Sequence, residues 1–146
     1  HREPVEIDSA VGACLMVRKA AIDAVGMFDE RYFFFFEETD WAYRMRRAGW
    51  KVYHVPEARI FHDQGQSIGR NVRSRIAFYR SRYLFFEKWR RRPYVLAVRA
   101  VVFLRLFVDW LITSLGVLFT LGMSRPLRDK GAVYAHLLAW HFRGCP

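Results

Sequence analysis

The chain has 146 residues, of which 53% are hydrophobic and 17% aromatic, so it has ample material for the core of one ordinary domain and is not expected to be disordered. Its two cysteines, Cys14 and Cys145, are too few and too far apart in sequence for a disulfide framework and fit a reducing compartment. The opening residues are polar, so no signal peptide is predicted there.

The net charge of +10 is unevenly distributed along the chain. Residues 1–69 carry nine Lys and Arg against eleven Asp and Glu, residues 70–92 carry nine against one, and residues 93–146 carry six against two. The sequence therefore predicts two regions, an acidic one over residues 1–69 and a basic one over residues 70–146. Anionic lipid headgroups and nucleic acid are the obvious partners of the basic region.

Residues 1–69 are predicted to form an α/β domain. The apolar segment 11–17 is typical of a buried strand, and the helical spacing of apolar residues in 20–25 predicts a helix. Alternation in 50–55 predicts a second strand, and 58–62 is expected to be another short extended segment.

A second helix of this domain is predicted directly after four consecutive phenylalanines at positions 33–36, which are expected to be mostly buried. Glu37, Glu38 and Asp40 lie in its first turn, where carboxylates meet unpaired backbone amides and the positive end of the helix dipole. Gly49 is expected to end it. Favourable first-turn acids are one interpretation of this cluster, and a functional site that tolerates their mutual repulsion is the other.

Residues 70–146 are predicted to be helical. Apolar residues recur at helical spacing from Val72 to Phe86 and arginines fill the other side, a pattern typical of a basic amphipathic helix. This helix is expected to end at Pro93. The arginines expected to face an anionic membrane are Arg73, Arg80, Arg90, Arg91 and Arg92.

A long apolar stretch follows over residues 94–123, and its segment 106–123 has about the length of a membrane span, which needs roughly 20 residues. Basic residues flank it on both sides, whereas a single span concentrates them on one side. The pattern favours a helix or helical hairpin lying on one leaflet. The alternatives are a true span, in which Arg105 and Asp109 pair, and an ordinary buried helix.

Nucleic acid is the rival partner, because arginine with interleaved aromatic residues is also typical of proteins that bind single strands. The aromatic residues of the basic helix fall on its apolar side rather than among the arginines, where bases could stack. No nucleic-acid partner is therefore predicted. A solvated helix face that binds nothing is the simplest alternative for the arginines.

Several motifs follow one another within residues 11–62. They are Gly12-Ala13-Cys14-Leu15-Met16-Val17-Arg18, Val25-Gly26-Met27-Phe28-Asp29-Glu30, Phe33 to Phe36 with Glu37-Glu38-Thr39-Asp40-Trp41, Arg44, Ala48-Gly49-Trp50, Pro56 and His62. In this order they resemble the second half of family 2 glycosyltransferases, above all the rhamnosyltransferase-like members that build bacterial surface polysaccharides. The resemblance implies that residues 1–69 are the C-terminal, acceptor-side half of a GT-A (Rossmann-like) catalytic domain, followed by an α-helical membrane-associated tail.

The resemblance also implies an inverting reaction in which a carboxylate takes the proton of an acceptor hydroxyl as that hydroxyl attacks the sugar. The family string is Glu-Asp-x-Asp, and its second acid, the expected base, corresponds to Glu38. Glu in place of Asp lengthens the side chain by one methylene, but a base needs hydrogen-bond reach more than a particular carboxylate. Glu37 is the alternative base or an orienting group, and Asp40 is expected to be an acceptor-side or structural partner.

Two aromatic residues and one histidine complete the candidate site. Phe36 and Trp41 are candidates to line the acceptor site, although Trp41 also suits the core. His62 corresponds to a position that often lies near the metal and diphosphate in GT-A enzymes, so it is a candidate ligand of Mg²⁺ or Mn²⁺. The metal-holding Asp-x-Asp of the family has no counterpart before Val11, so this chain alone is not expected to bind a nucleotide sugar tightly or to turn over.

The function implied is transfer of a sugar, such as rhamnose or another hexose, from a nucleotide-sugar donor to a hydroxyl of a lipid-linked or cell-envelope glycan. The expected location is the cytoplasmic face of a bacterial inner membrane. The alternative from another class is a non-catalytic membrane-binding module, in which the acids only cap a helix and the polybasic amphipathic helix is the working part.

Overall fold

The computed structural model describes residues 3–63 and 71–145. The chain folds as two compact units, residues 1–69 and residues 70–146. The described residues are mostly helical, with one small antiparallel sheet of two strands. The predicted α/β character of the first unit is therefore met only in part.

The sheet of the first unit pairs β1 (Val5–Glu6) with β2 (Tyr53–His54), with Val5 opposite His54. One more hydrogen bond, 2.9 Å from the amide of Ile7 to the carbonyl of Val52, extends the pairing. The strand predicted over 50–55 is thus reduced to its last part.

Two helices form the core of the first unit, α1 (Lys19–Val25) and α2 (Glu37–Arg47). Both agree with the helices that the sequence predicts. Their contact buries the small core of this unit, in which Ala21 of α1 meets Trp41 and Met45 of α2.

The prediction of a buried strand over residues 11–17 is wrong. This segment has a turn at Gly12 and Ala13 and no strand, and the side chains of Val11 and Met16 are 69% and 101% exposed. An apolar segment forms a strand only where another strand is available to pair with it. The described residues contain no strand other than β1 and β2. The extended segment expected at 58–62 is likewise exposed and forms no strand.

The second unit consists of α3 (Val72–Trp89), α4 (Arg92–Phe119) and α5 (Arg125–Phe142). Helix α3 begins with a capping box between Asn71 and Ser74, which satisfies amides that the first helical turn leaves unbonded. Helices α4 and α5 form an antiparallel hairpin, as the contacts of Thr113 with Gly131 and of Phe103 with Phe142 show. The three helices share one core, which comprises Tyr83, Val102, Leu106, Tyr134, Leu137, Leu138 and Trp140.

Two expectations about α3 need correction. Pro93 does not end this helix, since α3 stops at Trp89 and Pro93 lies in the first turn of α4, where a proline has no hydrogen bond to lose. The apolar side of α3 is not free, because Tyr83 is 2% exposed and Ile76 and Tyr79 pack against the core. The five arginines predicted to face a membrane are all exposed; they are Arg73, Arg80, Arg90, Arg91 and Arg92.

The long apolar stretch is helical, as expected, and belongs to α4. Within the described residues, no helix is both long and apolar enough to cross a membrane. The side chains of Arg105 and Asp109 approach to 3.9 Å, at the outer limit of an ion pair, and that of Arg105 is 82% exposed.

A partly buried polar contact joins α3 to α5. The hydroxyl of Tyr83 lies 2.8 Å from Nε2 of His141, and Nδ1 of His141 lies 2.7 Å from the carbonyl of Leu137. Both distances are satisfied when neutral His141 donates from Nδ1 and accepts the tyrosine proton at Nε2. Burial, followed by the nearby charge of Arg99, lowers the pKa of His141 despite the bond to Leu137.

Acid is therefore expected to destabilise the second unit. Because the pKa of His141 lies below its ordinary value of 6.5 in the folded protein, the unfolded chain binds this proton more readily. The stability is fully present above that ordinary value and is lost as the pH falls through the lowered pKa. Thermal unfolding followed by circular dichroism across this range checks the result. Replacement of the exposed His136 by glutamine is the control variant.

Candidate active site

The loop that leads into α2 has an unusual backbone. Phe35 and Phe36 both have φ of +67°, a left-handed conformation that costs a bulky residue roughly 1 to 3 kcal/mol. Phe33 is 88% exposed and residues 34–36 are half-buried, so the prediction that most of this run is buried is wrong. Backbone strain of this kind persists only where the surrounding structure fixes the strained residues. Here they directly precede the acids at the start of α2.

Two of these acids have a carboxylate oxygen that is buried without a hydrogen bond. Oε2 of Glu37 and Oε2 of Glu38 have no partner within the described residues. Burial, and then the charge of Glu38, raises the pKa of Glu37, although its own backbone amide opposes the shift. A buried acceptor left unbonded costs about 1 to 3 kcal/mol, so these two oxygens destabilise the folded state.

Glu38 lies at the wall of a cavity of about 560 Å³. Trp41 and Trp50 also line this cavity, and Val17 and Tyr53 contribute to its other walls. The cavity is large enough for a small polar ligand such as part of a sugar.

Gly12 closes over the side chain of Glu38. A Cβ placed on Gly12 would lie 3.8 to 3.9 Å from the side-chain carbons Cβ, Cγ and Cδ of Glu38. The absence of a side chain at position 12 thus leaves space directly beside the carboxylate. The turn that replaces the predicted strand is what brings Gly12 to this place.

Asp40 has a different role from its two neighbours. It is fully buried, its Oδ2 accepts a hydrogen bond of 3.0 Å from Nε of Arg44, and its Oδ1 lies 3.4 Å from the hydroxyl of Tyr32. Burial and the charge of Asp40 raise the pKa of Tyr32, so this hydroxyl keeps its proton as a donor. Asp40 is therefore held by Arg44 and Tyr32.

Arg44 and Trp41 attach α2 to the chain that follows α1. The guanidinium of Arg44 donates to the carbonyls of Val25 and Met27 at 2.5 and 2.6 Å, and the indole of Trp41 donates to the carbonyl of Gly26 at 2.8 Å. Arg44 also pairs with Asp40, an acid at the start of its own helix. Trp41 is 7% exposed, so little of its surface is available to a ligand in the cavity.

His62 is exposed and lies outside the helices and strands. Throughout residues 3–63 and 71–145, no three or more His, Cys, Asp or Glu side chains come together in a way that could hold a metal ion. His62 therefore belongs to no group of three or more such side chains within the described residues.

Sequence reasoning missed Gly12 and Tyr32 as parts of this site. Gly12 belongs to a segment whose apolar composition predicts a strand. The turn that places Gly12 beside Glu38 could not be recognised from that composition. Tyr32 is 6% exposed and precedes the phenylalanine run. A buried hydroxyl needs a partner, and an acid eight residues later was a possible signal.

Curated proteins similar to this chain are sugar transferases. The chain is 38% identical over 99 residues to the N-acetylglucosaminyl-diphospho-decaprenol L-rhamnosyltransferase of Mycobacterium tuberculosis, a match that covers 64% of this chain and 32% of that protein. It is 28% identical over 109 residues to the dTDP-rhamnosyl transferase RfbF of Shigella flexneri, covering 68% of this chain and 36% of that protein. The resemblance to rhamnosyltransferase-like glycosyltransferases is confirmed.

The chain also matches a low-salt glycan biosynthesis hexosyltransferase of Haloferax volcanii, with 28% identity over 58 residues, 40% of this chain and 19% of that protein. Its match to the mycobacterial enzyme spans about one third, 32%, of the length of that enzyme. No family model matches it, and no solved structure matches it significantly.

Proposed function

We propose that this chain is the acceptor-side part of an inverting family 2 glycosyltransferase with a GT-A fold. Its donor is a nucleotide sugar that carries rhamnose or another hexose, and its acceptor is a hydroxyl of a lipid-linked or cell-envelope glycan. The names of the bacterial relatives support this choice, since one acts on a decaprenol-linked amino sugar and another is a dTDP-rhamnosyl transferase. The proposed location is the cytoplasmic face of a bacterial inner membrane.

In the proposed reaction Glu38 is the general base. Its carboxylate takes the proton of the acceptor hydroxyl while that oxygen forms a bond to the anomeric carbon of the donor sugar. The bond from this carbon to the diphosphate oxygen breaks on the opposite face, and the electron pair leaves with the nucleoside diphosphate. The product therefore has the opposite anomeric configuration, and the proton ends on Glu38.

The observation that supports this role is the different bonding of the acids at the start of α2. Asp40 is bound by Arg44 and Tyr32, whereas Glu37 and Glu38 each retain an unbonded buried oxygen. Glu38 also lines the cavity. A carboxylate with one oxygen that the fold leaves without a hydrogen bond, on a residue that lines a cavity, is a candidate to accept the proton of a bound hydroxyl.

The remaining residues have supporting roles in the proposal. Glu37, the residue before Glu38 in the first turn of α2, orients Glu38 or the acceptor. Phe36 and Trp41 contact the acceptor, and of the two it is Trp41 that lines the cavity. His62 contributes at most one ligand to the divalent ion, Mg²⁺ or Mn²⁺, that the family resemblance implies.

An assay of the intact protein tests this proposal. We expect transfer of sugar from dTDP-rhamnose or another nucleotide sugar to a lipid-linked N-acetylglucosamine acceptor. Nuclear magnetic resonance of the product should show inversion at the anomeric carbon. Retention of configuration would contradict a single displacement, and hydrolysis of a donor without transfer would contradict the acceptor assignment.

A further inference from the structure

Helix α4 has two apolar faces, of which only one is buried. Val95, Val102, Leu106 and Thr113 face the core of the second unit. On the other side of the helix, large apolar residues recur every three or four positions and are all at least 42% exposed. We call these residues the α4 stripe; they are Val101, Leu104, Phe107, Val108, Leu111, Ile112, Leu115, Leu118 and Phe119.

The α4 stripe is too long to be an incidental surface feature. From Val101 to Phe119 it extends about 27 Å, at 1.5 Å per residue. Scattered exposed apolar residues are ordinary, but a contiguous stripe on one helix marks an interaction surface. A helix that is apolar on nearly all sides is typical of a buried or lipid-contacting position.

The turn between α4 and α5 extends this surface. Leu121 and Met123 are 85% and 82% exposed, next to Phe119 at 85%. Leu121 has φ of +49°, a conformation that costs an ordinary residue free energy and gives it no contact in the core. An exposed leucine in a strained turn is better suited to contact apolar material than water.

Cations border the apolar surface. Arg105 lies beside the α4 stripe with its side chain 82% exposed. Arg125, Arg128 and Lys130 follow the turn and are all exposed, with Arg128 donating to the carbonyl of Gly122 at 2.5 Å. Residues 70–146 carry fifteen Lys and Arg against three acids in all.

We propose that the α4 stripe and the turn after it dock on the surface of an anionic lipid bilayer. The apolar residues enter the interfacial region of one leaflet, and the bordering cations bind lipid phosphates at the depth of the headgroups. A second copy of the chain is the less suitable occupant, because self-pairing would bring the same cations together. The assignment to a bacterial membrane rests on the proposed function, whereas the docking face does not.

Sedimentation of the intact protein with vesicles tests this docking face. The wild type is expected to bind phosphatidylcholine vesicles that contain phosphatidylglycerol, and to bind pure phosphatidylcholine vesicles more weakly. The double variant Phe119→Ser/Leu121→Ser should lower the affinity at least roughly tenfold, since it removes two large inserting side chains. The matched control is Ile60→Ser/Phe61→Ser, which replaces residues 52% and 107% exposed in the first unit and should change nothing.

A second pair of variants tests the cations. Arg105→Gln/Arg125→Gln should weaken binding to the anionic vesicles by roughly fivefold per arginine, with little effect on the neutral ones, and Arg59→Gln is the control. Unchanged binding by Phe119→Ser/Leu121→Ser would overturn the proposal. So would a dimer without lipid that this variant dissociates, because the second copy would then be the occupant. Vesicle binding requires no sugar transfer, so its failure and that of the proposed function are distinguishable.

Discussion

Replacing Glu38 with glutamine is expected to lower kcat for sugar transfer by roughly 10² to 10⁴, the usual contribution of a positioned general base. Glutamine keeps the size of the side chain and its place at the cavity wall but cannot accept the proton. Binding of the donor should change little, since Glu38 acts on the acceptor hydroxyl. Initial rates measured on the intact protein with saturating donor and acceptor give this result.

Two further variants show whether the loss of kcat is specific to Glu38. Glu30→Gln removes an exposed acid of the same unit and should leave kcat within about twofold, as expected of an exposed surface residue. Glu37→Gln should lower kcat less than Glu38→Gln does, because Glu37 is assigned a supporting role. A larger loss at Glu37 than at Glu38 would transfer the role of the base to Glu37.

Replacing Asp40 with asparagine is expected to destabilise the first unit by roughly 3 kcal/mol or more, the range for removing one partner of a buried ion pair. Asp40 is 0% exposed and its partner Arg44 is 16% exposed in the side chain. The variant would leave the charge of Arg44 without its counter-ion and weaken the bond from Tyr32. Denaturation of the intact protein by urea, followed through tryptophan fluorescence, measures the change.

The chain offers a matched control for this effect. Lys19 and Asp23 form an ion pair with the same spacing of four residues, but their side chains are 85% and 61% exposed. Asp23→Asn should cost no more than about 0.5 kcal/mol, because water screens such a pair. Equal effects of Asp40→Asn and Asp23→Asn would show that the contact with Arg44 does not stabilise the fold.

The helices could be predicted from sequence because their signals are local. Acids in the first turn of α2, Gly26 after α1 and the helical spacing from Val72 to Phe86 each report on a few neighbouring residues. The strands could not be predicted in this way. Residues 11–17 have the composition of a buried strand, but pairing depends on distant parts of the chain, and this segment forms a turn beside α2 instead.

The acid cluster was evident in the sequence, but the distinction among its members was not. Glu37, Glu38 and Asp40 are equivalent as first-turn carboxylates. Their contacts separate them, because Arg44, four residues later in the same helix, and Tyr32 bind Asp40, while the other two each retain an unbonded oxygen. The family resemblance singled out Glu38, and its position in the cavity wall supports that choice.

The location of the apolar surface in the second unit also needed the structure. The sequence pattern pointed to the basic helix α3, whose apolar side packs into the core, as well as to the apolar stretch 94–123. The long stretch of α4 looks uniformly apolar in sequence, so periodicity does not reveal which of its sides is covered. Packing of α5 against one side leaves the α4 stripe exposed.

The comparison of Glu38→Asp with Glu38→Gln in the intact protein tests the central assignment most directly. Aspartate is the residue that the family resemblance places at this position, and it keeps a carboxylate that can take the acceptor proton. We predict that Glu38→Asp retains kcat within about tenfold of the wild type and exceeds Glu38→Gln by roughly 10² or more. Equal rates for the two variants, or near-normal transfer by Glu38→Gln, would contradict the role of Glu38 as the base.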